Sequence, residues 1–90
     1  MSDKNVKVEF YHADWCPACK ALLPKMAKLE ENYKGQVDFV SIDLTDEDME
    51  GAGVDILPTV ILYKDDNEER RFTGAFSLKV FDKALVDLLG

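Results

Sequence analysis

Cys16 and Cys19 are the two cysteines of the chain, and they enclose Pro17 and Ala18. A C-x-x-C at the start of a helix, just after a strand, is a spacing suited to dithiol–disulfide chemistry. Thiols three residues apart at a helix N-terminus close a disulfide with little backbone change. The first thiol faces unpaired backbone N–H groups and the positive end of the helix dipole, and both favour a thiolate. Lys20, in the first helical turn, adds positive charge. The second sulfur lies behind and is better shielded. This asymmetry predicts a cycle in which Cys16 attacks a substrate disulfide and Cys19 then displaces the substrate from Cys16.

Two blander uses of the pair compete with that cycle. One is a metal knuckle built from Cys16, Cys19 and His12. A closed zinc site needs four ligands, whereas the chain holds two Cys and one His, so an acid would have to complete it. No metal is expected. The other is an inert disulfide or a pair of buried thiols, and a disulfide closing so short a loop would add little stability.

The elements that must position the pair follow from hydrophobic periodicity. Val6, Val8 and Phe10 alternate with Lys7 and Glu9, which is the period of a strand. Tyr11 to Asp14 are expected to leave it. Pro17 suits the first helical position, with Cys16 as the N-cap. Leu22, Met26, Leu29 and Tyr33 continue at helical spacing, with Leu23 and Ala27 beside them, and Lys20, Lys25 and Lys28 on the wetter side. Pro24 falls inside this helix and should kink it, and Gly35 should end it. Val37 to Asp43 reads as a second strand, giving a right-handed βαβ unit. Thr45 and Asp48 have capping-box spacing and should start a short acidic helix that stops near Gly51 and Gly53. Thr59 to Tyr63 is almost wholly apolar and reads as a central strand. Asp65, Asp66 and Asn67 form a turn, Glu68 to Thr73 an edge strand. Ser77 caps a last helix whose buried stripe is Val80, Phe81, Ala84, Leu85 and Leu88. The predicted order is β-α-β-α-β-β-α, in one domain spanning residues 1–90.

Composition narrows the partners. Apolar residues are 47% and charged residues 32% of the chain, a globular balance, and the net charge of −7 argues against nucleic acid and anionic membranes. Residues 1–37 carry five acids and six bases, residues 38–90 thirteen acids and five bases, so the cysteines fall in the less acidic part. The N-terminus shows no apolar signal-like stretch, and the expected location is the cytoplasm, where thiols stay reduced.

These residues together resemble the thioredoxin family. Trp15-Cys16-Pro17-Ala18-Cys19-Lys20, the helix proline Pro24, the pair Pro58-Thr59 and Gly74 match its pattern in order, without gaps from Phe10 to Gly74. The chain opens at what would be the family's second strand, which leaves the four-stranded core shared with glutaredoxins. The resemblance implies an α/β thioredoxin-like fold: a mixed sheet of order 2-1-3-4, third strand antiparallel to the first two, flanked by three helices. It implies a cis Pro58 beside the cysteines and a substrate chain that pairs with the backbone of Leu57. Trp15 would flank Cys16 as a substrate contact or a lid, and Gly74 would allow a close backbone approach.

Three departures from the family pattern stand out. The dipeptide between the cysteines is Pro17-Ala18 rather than Gly-Pro, and Ala18 offers no imidazole to a Cys16 thiolate, so a strongly oxidising protein is not expected. Phe10 and Phe39 occupy the places of the family's buried aspartate and its lysine partner. The proton of Cys19 must then go to water, Asp14 or His12. Finally, Leu57-Pro58-Thr59 and Phe72-Thr73-Gly74-Ala75 do not match a glutathione site.

The expectation is a monomeric thiol–disulfide oxidoreductase that reduces protein disulfides, with no bound cofactor, reset by a thioredoxin reductase-like flavoprotein. Cys16 is the nucleophile and Cys19 the resolving thiol. Trp15, Pro17, Ala18, Leu57, Pro58 and Gly74 would contact substrate, and Lys20, Asp14 and His12 would tune the site. A glutaredoxin-like protein reset by glutathione and a non-catalytic adaptor or metal-binding module are the alternatives.

Overall fold

The computed structural model describes residues 5–74 and 76–90. The N-terminal residues 1–4, on which part of the leader argument rests, and Ala75, part of the glutathione-site comparison, lie outside the described residues. The elements in order are β1 (Val6–His12), α1 (Pro17–Asn32), β2 (Asp38–Asp43), β3 (Thr59–Lys64), β4 (Asn67–Thr73) and α2 (Leu78–Leu89). The four strands form one sheet in the order β2-β1-β3-β4. β1 pairs parallel to β2 and antiparallel to β3, and β3 pairs antiparallel to β4. The expected sheet order and strand directions hold.

Alternation in β1 decides which face carries the core. Val6, Val8 and Phe10 point one way and are buried. They meet Val60, Leu62 and Phe72 of the neighbouring strands, Met26 of α1, and Phe81, Ala84 and Leu85 of α2. Both helices therefore cover the same face. Phe81 is wholly buried and packs against Phe72 edge-on, ring centroids 5.3 Å apart. Removing such a ring costs about 3–5 kcal/mol through lost transfer energy and the cavity left behind. The opposite face carries the intervening residues, among them the Lys7–Glu9 ion pair at 3.1 Å and Tyr11, whose hydroxyl donates to Glu9.

Four expectations need correction. Among the described residues the sheet is flanked by two helices, not three. Residues 45–53 form turns, because the side chain that would cap a helix there is already engaged. Thr45 Oγ1 accepts from the Asp14 N–H at 2.9 Å rather than from its own following turn. Only scattered turn bonds follow, such as Ala52 N–H to Asp48 O and Val54 N–H to Met49 O. Second, β1 does not end at Phe10. Tyr11 pairs with Ile42 and Thr59, and His12 with Asp43, which carries the strand to the edge of the cysteine loop. Third, Val80 is exposed, as is Leu23 of α1, so each helical stripe is narrower than its apolar residues suggest. Fourth, α1 ends at Asn32 with Tyr33 as C-cap, ahead of Gly35.

The turn between β3 and β4 is tight. Asp65 and Asp66 both take positive φ, 52° and 68°. Two successive left-handed residues make the hairpin turn whose twist matches that of its strands. α1 runs unbroken through Pro24.

Candidate functional site

Cys16 sits where β1, after a short loop, hands over to α1. It is the N-cap of α1, in extended conformation, and Pro17 takes the first helical position. The cap is made by sulfur: Cys16 Sγ accepts the Cys19 N–H at 3.2 Å. The same group that closes the helix end therefore lies on an N–H donor and on the positive pole of α1, where negative charge on that sulfur is stabilised. Cys16 and Cys19 are joined as a disulfide, with Cα atoms 5.2 Å apart. Cys16 is 5% exposed and Cys19 0%. Both cysteines are buried, and Cys16 alone of the two keeps a slight exposure.

Other predicted residues gather around this pair. Leu57-Pro58 is a cis peptide. Pro58 is buried and Leu57 half-buried. The Gly74 N–H donates to Pro58 O at 2.9 Å, which ties the end of β4 to the proline. Gly74 has φ +63°, and a Cβ there would meet nothing closer than Ile56 Cδ1 at 3.9 Å. Its glycine is required by backbone conformation, not by lack of room as expected. Ala18, Pro58 and Gly74 share a groove of about 210 Å³ with Ala21, Leu22, Lys25 and Phe76. Pro17 and Lys20 lie exposed at the start of α1.

Trp15 is 55% exposed, an unusual position for an indole, and its Nε1 donates to Thr45 O at 3.3 Å. Thr45 thus holds both residues ahead of Cys16: Asp14 through its hydroxyl and Trp15 through its carbonyl. Thr45 is itself held by Asp43, whose Oδ1 accepts from the Thr45 N–H at 2.8 Å and from its hydroxyl. These bonds, the hydroxyl's first, keep the Asp43 carboxyl below the usual carboxylate range. Next to it, the Leu44 N–H donates to His12 O at 2.7 Å. Sequence reasoning read Thr45 as a helix cap and missed this role. It also missed Phe76, Ala21 and Lys25, which no local motif marks.

His12 is half-buried, its ring 4.9 Å from that of Phe10. Phe10 is 2% exposed, and Thr59 is the one buried polar or charged side chain among the described residues. No buried carboxylate therefore stands behind Cys19 in that set. No group of three or more His, Cys, Asp or Glu able to hold a metal occurs among the described residues.

The Thioredoxin family model matches residues 1–87. This chain belongs to the thioredoxin family. The thioredoxin of Borreliella burgdorferi is 32% identical over 90 residues, which cover 98% of this chain and 76% of that protein. Thioredoxin-1 of Saccharomyces cerevisiae is 36% identical over 75 residues, 81% of this chain and 71% of the relative. The crystal structure of spinach chloroplast thioredoxin f superimposes with a TM-score of 0.82 at 26% identity, covering 99% of this chain and 74% of the other. Family membership and a C-x-x-C pair at disulfide distance make the protein a thiol–disulfide oxidoreductase. The family implies disulfide-bearing substrates and a reductase that restores the dithiol. No helix among the described residues is long and apolar enough to cross a membrane.

Proposed function

We propose that this thioredoxin-family protein works as a reductant of protein disulfides, with Cys16 as nucleophile and Cys19 as resolving thiol. The observation that supports the assignment of roles is the N-cap geometry: Cys16 Sγ accepts the Cys19 N–H at the helix end, and Cys16 keeps a slight exposure while Cys19 is fully buried. In the reduced protein the Cys16 thiolate attacks one sulfur of a substrate disulfide. A mixed disulfide forms, and the departing substrate thiolate takes a proton from solvent. Cys19 then loses its proton and attacks Cys16 Sγ. The internal disulfide forms, the second substrate thiolate leaves, and two electrons have passed to the substrate. The oxidised pair described above is the end of that cycle, and a reductase must return two electrons, with one proton taken up by Cys19.

Leu57 would offer its backbone to the substrate chain as an added strand does. Trp15, Pro17, Ala18, Pro58 and Gly74 would form the contact surface, and Lys20 would favour the Cys16 thiolate. The pair needs no bound cofactor for this exchange, and a monomer suffices because both thiols come from one chain. The reductase would be a flavoprotein of the thioredoxin reductase type. A reducing compartment such as the cytoplasm suits the direction of flow, although the spinach chloroplast thioredoxin shows that relatives also serve organelles.

Alkylation at pH 7 and trapping test the reading together. Cys16 should react with iodoacetamide faster than a free peptide thiol, and Cys19→Ser should accumulate a covalent adduct with insulin. Cys16 alkylation at the peptide rate, with no adduct, would overturn the assignment. Turnover of the wild-type protein with NADPH and thioredoxin reductase, set against glutathione, distinguishes the proposed reductant from the glutaredoxin-like alternative.

A further inference from the structure

The two sides of the cysteine pair carry opposite charge. On one side runs α1, whose stretch from Pro17 to Leu29 holds three lysines and no carboxylate, in a chain of net charge −7. Lys20, Lys25 and Lys28 are all exposed. Among the described residues, Lys25 is the one charged side chain lining the apolar groove formed by Ala18, Ala21, Leu22, Pro58 and Phe76. On the other side, the hydrogen bonds from Asp14 and Trp15 to Thr45 bring the segment after β2 against the site. That rim carries Asp14, Asp43, Asp46, Glu47 and Asp48, with no lysine or arginine between residues 43 and 48.

We propose that this polarity selects the substrate and its direction: an apolar residue flanking the disulfide fills the groove with a carboxylate beyond it against Lys25, while basic or neutral residues face the acidic rim. The inference rests on the proposed reductase reading and names the substrate class of that same site. The groove, at about 210 Å³, has room for an aliphatic side chain, and the described residues lining it offer no second cation or hydrogen-bonding side chain to hold a larger polar one. Lys25 is then a specificity-determining residue. A carboxylate placed on the opposite flank would meet like charge, so a reversed substrate is disfavoured on both sides at once. Exposed ion pairs of this kind are weak singly, so the effect belongs to rate selection among substrates rather than to tight binding.

Three disulfide-bridged peptides of equal length test the proposal. One carries two Glu on the N-terminal flank and two Lys on the C-terminal flank, the second reverses them, and the third has Gln at all four places. The two charged peptides are both neutral overall, so attraction to the protein's net charge cannot separate them. One charged order should be reduced roughly two- to fivefold faster than the other in kcat/KM at low salt. The ratio should fall toward one in 1 M salt, where the screening length is about 3 Å. Lys25→Glu should narrow or invert it. Equal rates for both charged orders, with the Gln peptide still reduced, overturn the charge proposal and leave the reductase reading standing. A ratio unmoved by Lys25→Glu overturns the assignment to Lys25, and failure to reduce any of the three overturns both readings.

Discussion

Thr45 Oγ1 accepts the backbone N–H of Asp14 across 31 positions of sequence, at 2.9 Å. That bond joins the loop after β2 to the loop before Cys16. The carbonyl of the same threonine takes the Trp15 indole N–H, so one residue fixes both the backbone and the side chain that precede the nucleophile.

The first prediction follows from that clamp. Thr45→Val keeps the shape but removes the acceptor for Asp14 and the donor to Asp43. It should cost about 0.5–1.5 kcal/mol in a denaturant titration, and Thr45→Ser should recover most of it. Trp15 fluorescence reads the local effect, with a change in Val and little change in Ser. The Asp43 carboxylate, lowered below its ordinary value by these bonds, contributes above that value and loses its contribution as pH falls through the depressed one. The clamp should therefore keep the Asp43 contribution at neutral pH and weaken as pH falls through the depressed carboxylate value, and an unaltered Trp15 signal in Thr45→Val would refute it.

A second prediction concerns the proton on Cys19. With Phe10 where the family carries an acid, no buried carboxylate among the described residues can hold that proton. Resolution of the mixed disulfide should accelerate about tenfold per pH unit below the thiol's own value, which for free cysteine is about 8.5. Stopped-flow measurement between pH 6 and 8 checks the slope. His12→Ala and Asp14→Ala separate the acceptors: slowing in either identifies that side chain, and unchanged rates in both identify water.

Alkaline stability supplies a third. The Tyr33 hydroxyl donates to the Asp82 carboxylate, joining the end of α1 to α2. Burial first, then that bond, pushes Tyr33 up to about 12. A tyrosine raised in the folded state contributes fully below its unfolded value near 10 and loses that contribution as pH rises toward 12. Tyr11, raised to about 12 by burial and Glu9, behaves alike. Stability should fall over pH 10–12, and Tyr33→Phe should make the fall shallower. An unchanged slope would show that the Tyr33 bond contributes nothing.

The hairpin gives a fourth. Asp66 holds φ at 68°, a region that costs a side-chain-bearing residue about 1–2 kcal/mol. Asp costs less than most there, and Asp66→Gly should raise stability by about 0.5–1 kcal/mol in equilibrium unfolding. A loss of stability would mean that the Asp66 side chain contributes more than its backbone strain removes.

Local patterns carried much of the architecture and some of the site. The cysteine spacing, Pro17 and the alternation of Val6, Val8 and Phe10 act within a few residues of one another, so they could be read along the chain. Sheet order and the cis Pro58 came through the family pattern. Thr45 was legible only as a capping residue, because its true partner lies at Asp14 and no periodicity relates the two. That one long-range bond also explains the missing helix. Phe76 and Lys25 likewise acquire meaning only when α1 and the end of β4 come together around a groove. Val80 shows the converse: it is apolar and at the right helical spacing, yet the sheet it should meet is already filled by Phe81 and Leu85.

The segment that bears Thr45 has the least regular hydrogen bonding around the site. It is fastened at its far end by the Arg71 guanidinium to Gly53 O at 2.9 Å. Regions of this kind open alone, at a fraction of the free energy needed to melt the sheet. Amides between 46 and 53 should accordingly exchange with deuterium well ahead of those in β1 and β3, and each such excursion would unlatch the indole while leaving the sulfur-capped helix in place.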